Sequence, residues 1–128
     1  MKISWSTIKW WLSQSDDARK YLLMDGIKIE NALIGLKNFL TDISYENNVP
    51  LIWGNGVSFD NVHVANAYKI CDIALPWDYK QDRCYRTVKS FFPDIEIPKK
   101  GVKHNSLDDA INQANHLLTI NEKFISAN

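Results

Sequence analysis

Fifteen basic and fifteen acidic side chains cancel in this 128-residue chain, so it lacks any surplus charge of one sign. A global attraction to a polyanion is thereby excluded, and any nucleic-acid contact has to come from a local basic patch. Long apolar runs are missing too. The N-terminal stretch sets Trp5, Lys9, Trp10 and Trp11 among polar residues, which reads as neither a signal peptide nor a membrane span. Cysteine is scarce: Cys71 and Cys84 are the only two, with neither C-x-x-C nor metal-ligand spacing. They read as reduced core residues of a cytoplasmic protein, not as a disulfide. No internal repeat, low-complexity tract or linker interrupts the chain.

What is present is globular. Hydrophobic residues make up 45% and aromatics 12%, enough for one domain spanning 1–128 with a real core. Trp5, Ile8, Trp11 and Leu12 lie on one face of a short helix capped by Ser4 or Ser6; that face either packs into the core or offers a platform for stacking bases. Ser15 caps a second helix running to about Met24. Asp16 and Asp17 sit where the positive end of its dipole favours acids, so they read as a helix start and not as a metal site. Ile29, Ala32, Leu33, Leu36, Phe39, Leu40 and Ile43 recur at helical spacing. Glu46-Asn47-Asn48 forms a loop, and Val49 to Trp53 reads as a strand buried on both faces, the mark of a parallel α/β layer. Val62, Val64, Ala65, Tyr68 and Ile70 predict a helix ending near Cys71. A short helix is expected from Arg83 to Lys89, and a last one capped by Ser106, with Leu107, Ala110, Ile111, Ala114, Leu117 and Leu118 on its buried side.

Two stretches concentrate chemistry-bearing residues. Asp60 follows the strand and a Gly54-Asn55-Gly56 turn that lets the backbone approach a ligand closely. An acid there suits a divalent cation, or simply caps the helix beginning at Asn61. His104 precedes the last helix in a loop, where it should be exposed and able to titrate near neutral pH. Asp109 lies on that helix's first turn. A histidine base beside a carboxylate-bound metal suits phosphodiester hydrolysis. The plainer alternative is a capping box of Ser106 and Asp109, with Asp108 complementing the dipole. Lys99, Lys100 and Lys103, with Arg83, Arg86 and Lys89, either hold a phosphate backbone or form solvated surface.

Trp53-Gly54-Asn55-Gly56-Val57-Ser58-Phe59-Asp60-Asn61, Asp82-Arg83-Cys84-Tyr85-Arg86-Thr87 and His104-Asn105-Ser106-Leu107-Asp108-Asp109-Ala110 together resemble the DEDDh superfamily of 3′–5′ exonucleases, which includes RNase T and the DnaQ proofreading subunit. Trp10-Trp11-Leu12-Ser13-Gln14-Ser15 with Ala18-Arg19 is similar to its phage and bacterial, DexA-like exoribonuclease branch. The resemblance runs from about Ser4 to Ile120 and implies an RNase H-like α/β fold. It makes His104 the general base, and Asp60 and Asp109 ligands of two Mg²⁺ or Mn²⁺ ions. Asn55, Phe59, Asn61, Arg83, Arg86, Lys103 and Asn105 become contacts to the 3′ end of single-stranded RNA or DNA.

The resemblance departs from the family at its first motif, an Asp-x-Glu on the opening strand of the sheet. Asp94-Ile95-Glu96 is the only such triplet here, and it lies out of order between the second and last motifs. An N-terminally truncated fold is therefore expected, with helices dominating over a reduced sheet, in a phage or prophage setting. Two of the four metal-holding acids should be missing and hydrolysis by this chain alone impaired. A non-catalytic nucleic-acid- or protein-binding remnant is the alternative. The lone strand should pair with a second copy in a homodimer or with the extended segment near Tyr79; a complementing chain could carry Asp-x-Glu. No membrane partner is expected.

Overall fold

A computed structural model describes residues 4–44 and 49–126. It divides into two compact units, Ile27–Ile95 and Met1–Gly26 with Glu96–Asn128. The loop expected at Glu46-Asn47-Asn48 lies outside the described residues. The fold is α/β with helices dominating a small two-stranded sheet, the reduced sheet expected above.

In the Ile27–Ile95 unit, α1 is Ile29–Ile43 and α2 is Asp60–Ile70. Both helices match the expected periodicity. Leu33 and Leu40 from α1 meet Tyr68 of α2 and Trp77 in the core, with Leu36, Val64, Ala67 and Ile73 packed around them. Tyr68 is completely buried, and its hydroxyl donates to the Leu33 carbonyl at 2.7 Å. Its ring stands perpendicular to that of Trp77, centroids 5.9 Å apart. A buried phenol needs such an acceptor, and burial pushes its pKa up. Tyr68→Phe removes the hydroxyl but keeps the ring, so thermal melting should show a loss of about 1 kcal/mol.

The sheet pairs β1, Ile52–Gly54, with β2, Asp82–Cys84, in parallel, Ile52 opposite Asp82 and Gly54 opposite Cys84. Parallel neighbours require a crossover, which α2 supplies. The strand therefore finds its partner within the chain, just past Tyr79. It is not buried on both faces as expected: Trp53 is 42% exposed. Arg83 and Cys84 belong to β2, so the helix expected from Arg83 begins two residues later, as α3, Tyr85–Phe91. The reason lies outside the segment. Asp82 accepts hydrogen bonds from Asn61 and Trp77, and Gln81 donates to the Pro50 carbonyl, which draws the segment alongside β1.

The other unit holds α4, Trp5–Leu12, α5, Asp16–Lys20, and α6, Ser106–Ser126. Ser15 caps α5 as expected, accepting from the Ala18 amide. Asp16 and Asp17 pair with Arg19 and Lys20 one turn on. A 3₁₀ turn, Tyr21–Leu23, continues α5 towards Met24. The expected buried faces are not buried. Trp5 and Leu12 on α4 are exposed, as are Leu107, Ile111 and Leu118 on α6, whose buried residues are His116 and Ile120. Periodicity identifies an apolar face; burial needs an opposing surface as well. Among the described residues no helix is long and apolar enough to cross a membrane.

Candidate functional site

After β1 the chain turns sharply to start α2, and Asp60 closes that turn. The Phe59 and Asp60 amides both donate to the Gly56 carbonyl at 2.8 Å, while the Asp60 carboxylate accepts from the Gly56 amide at 2.7 Å. The carboxylate thus binds the loop behind it. It does not cap a helix beginning at Asn61, because Asp60 is itself the first residue of α2. Half-buried, it spends one oxygen on the loop.

Asn61 is only 6% exposed. Its amide donates to the Ile52 carbonyl at 3.1 Å and to Asp82 at 2.6 Å, tying α2 to both strands. A buried side-chain amide with both donors used is a positioning group. Asn55 is exposed, and its carbonyl accepts from the Arg86 amide at 3.1 Å. The exposed Arg86 guanidinium lies over the turn, 3.8 Å from where a Cβ on Gly56 would sit. Arg83 instead donates to the Lys80 and Asp82 carbonyls. Phe59 is 64% exposed and lies against His63, ring centroids 4.2 Å apart. The His63 Nδ1 is 2.6 Å from the Phe59 carbonyl, which can only accept, so Nδ1 carries the proton. Sequence reasoning passed over His63, although its place four residues after Phe59 on a helix was the available signal.

Cys84 was also missed. It is half-buried rather than in the core, at the junction of β2 and α3. The Thr87 side chain hydrogen-bonds its sulfur, backbone groups of Val57 and Thr87 add to this, and the thiol falls to about 7. Iodoacetamide labelling followed by peptide mass analysis should therefore modify Cys84 with a midpoint near pH 7. Thr87→Val should move that midpoint upward. An unmoved midpoint removes the assigned cause.

In the other unit the loop before α6 is tightly laced. Gly101 has φ +80° and His104 φ +69°, both left-handed. Asp108 accepts from the Val102 amide at 2.8 Å, and Asn112 bonds Lys100 through both its side-chain atoms. Asn105, not Ser106, caps α6: its side-chain oxygen accepts from the Leu107 and Asp108 amides. Asn favours this position as strongly as Ser. The expected box of Ser106 and Asp109 is thereby replaced. Asp109, half-buried on the first turn, makes no side-chain hydrogen bond or ion pair among the described residues. His104 is half-buried rather than exposed, its ring edge-on to Trp10 at 4.8 Å. Lys99, Lys100 and Lys103 are exposed, as are Asp94 and Glu96, which follow α3 in a turn and loop and not on a strand.

Asp60, Asn55, Phe59, Asn61, Arg83 and Arg86 thus belong to one unit, and His104, Lys103, Asn105 and Asp109 to the other. Among the described residues no group of three or more His, Cys, Asp or Glu side chains comes together to hold a metal ion. Residues 1–121 match the model of one protein family, the 3′–5′ exoribonuclease Rv2179c-like domain. No curated protein and no solved structure matches the chain.

Proposed function

Because the chain belongs to the 3′–5′ exoribonuclease Rv2179c-like domain family, within the DEDDh, RNase T-like superfamily, we propose that it engages the 3′ end of single-stranded RNA or DNA as one exonuclease domain. The observation that carries this reading is the family match, which takes in all three motif stretches and therefore Asp60, His104 and Asp109. The tryptophan-rich stretch from Trp10 to Arg19 supports the DexA-like branch. In this reading His104 takes the proton of the attacking water. The water oxygen bonds to phosphorus, the bond to the penultimate nucleotide's 3′ oxygen breaks, that oxygen takes a proton from solvent to become the new 3′ hydroxyl, and a nucleoside monophosphate leaves. The available imidazole supports that role, since no polar side chain among the described residues occupies it. Phe59 offers an exposed ring for a base, while Arg86, Lys103 and the Asn55 edge offer donors for phosphates. Arg83, with its guanidinium bonded to backbone carbonyls, and Asn61 position the loop, as Asn105 does for the start of α6.

The metal requirement does not fit these residues by themselves. Asp60 and Asp109 are the matching acids, but no metal-holding group forms among the described residues. Hydrolysis by this chain alone should accordingly be weak, and a complementing chain bearing Asp-x-Glu would raise it. A second reading, a binding module without catalysis, draws support from the Asp60 carboxylate bonded to its own loop. Both are tested by incubating 5′-labelled single-stranded RNA and DNA with the chain, Asp60→Ala and His104→Ala, in Mg²⁺ and in Mn²⁺. Slow shortening from the 3′ end, lost by about 10²-fold or more in His104→Ala, is expected. Binding without shortening, in every metal and with every candidate partner, favours the module. Fast shortening by the chain alone removes the claim of impairment, and shortening indifferent to His104→Ala removes the base.

A further inference from the structure

His104 has an unusual problem for a base. Its backbone is left-handed, at φ +69°, and no hydrogen bond or ion pair to its imidazole exists among the described residues. Nothing polar fixes its rotamer. A histidine that must accept a proton in one direction needs an orienting group, usually a carboxylate or a carbonyl on the other ring nitrogen. Here the contacts are aromatic. The Trp10 ring stands at 72° to the imidazole with centroids 4.8 Å apart; Trp11 stands at 76° and 6.5 Å. The two indoles are themselves edge-to-face at 4.9 Å.

Trp10 is held with unusual thoroughness for a helix that buries none of its residues. Its carbonyl accepts from the Ser13 amide at 3.2 Å, the Ser13 hydroxyl at 2.7 Å and the Gln14 side chain at 2.8 Å. Arg19 reaches back from α5 to the Leu12 carbonyl at 2.6 Å and the Gln14 carbonyl at 2.8 Å. Ser15 caps α5, and Ala18 is buried, 1% exposed. Each polar member of the Trp10-to-Arg19 stretch named in the sequence thus acts on the corner after Trp10. Core filling does not explain this investment, since Trp10 remains 44% exposed.

We infer that Trp10 is the positioning residue for His104: its indole, carried on a backbone corner that Ser13, Gln14 and Arg19 hold, confines the imidazole to one rotamer. Trp11 is the lesser wall. This rests on the reading of His104 as the base, but its test does not need hydrolysis. The test follows the ring-proton resonances of the three histidines in the full chain, with His116 and His63 as internal references for the two units. In Trp10→Leu, His104 should lose its ring-current shift and broaden or split as rotamers mix, while His116 and His63 stay in place. Trp10→Phe keeps a ring and should rescue most of the shift, and Trp11→Leu should change less than Trp10→Leu. If Trp10→Leu disturbs His116 as well, Trp10→Phe decides: a retained shift supports the inference, and its disappearance with His116 unmoved overturns it. A His104 signal indifferent to Trp10→Leu overturns it too, as does a larger response to Trp11→Leu. Loss of the base assignment is a separate result, read from shortening that ignores His104→Ala.

Discussion

Gly54→Ala should destabilise the Ile27–Ile95 unit by on the order of 3 kcal/mol, the sum of a steric conflict and a broken polar network. A Cβ at this position would collide with the Asn61 side-chain oxygen and come within 3.1 Å of the Asp60 Cβ. Both neighbours are held in place by hydrogen bonds. Asn61 is buried and bonded to Ile52 and Asp82, and Asp60 is bonded to Gly56. Moving Asn61 strands the Asp82 carboxylate, which Trp77 alone would then satisfy. Gly35 provides the control. It lies exposed in α1 with nothing within 4 Å of an added Cβ, so Gly35→Ala should stabilise by about 0.5–1 kcal/mol through helix propensity. Chemical denaturation of both variants separates a glycine required by close approach from one that is merely tolerated. Equal midpoints for Gly54→Ala and the parent chain would mean that α2 does not press on β1 as described.

The same network shows what the sequence could and could not reveal. The helices at Ile29–Ile43 and Asp60–Ile70 were legible because their signals are local: apolar spacing, and a turn before the first acid. The strand at Asp82–Cys84 was not. Its three residues carry no alternation, and what extends them is a partner strand thirty residues earlier and an asparagine on the crossover helix. The Asp60 stretch stands out in the sequence as a strand, turn and acid, yet the pattern gives no hint that Asn61 faces inward while Phe59 faces out. Within one short turn, facing depends on where the strand beneath lies. At the other stretch the cap moved by one residue, from Ser106 to Asn105, because both residue types are good caps and only the loop geometry chooses. The exposed faces of α4 and α6 make the complementary point: an amphipathic pattern states what a helix would bury, and the opposing surface decides whether it does.

Gly101→Ala should have an effect of similar size on the loop that carries His104, and its origin can be resolved by companion variants. Gly101 has φ +80°, where a Cβ costs about 1–2 kcal/mol in backbone strain. The added Cβ would also collide with the Asp108 carboxyl carbon, whose carboxylate holds the Val102 amide at 2.8 Å. Losing that charge-assisted bond adds about 1.5–3 kcal/mol. Asparagine tolerates left-handed backbone but brings the same Cβ, so Gly101→Asn should relieve the strain and keep the collision. Asp108→Ala removes the collision and the bond together. If the steric conflict dominates, Gly101→Asn is nearly as damaging as Gly101→Ala, and Gly101→Ala combined with Asp108→Ala costs clearly less than the sum of the two single changes. If strain dominates, Gly101→Asn recovers most of the loss and the double variant is additive. In either case the chain from Gly101 to Asn105 has lost its register, and His104, three residues beyond the substituted glycine and itself left-handed, should leave the edge of Trp10. A Gly101→Ala chain with unchanged stability and an unchanged His104 ring-proton resonance would show that Asp108 does not set the conformation of this loop.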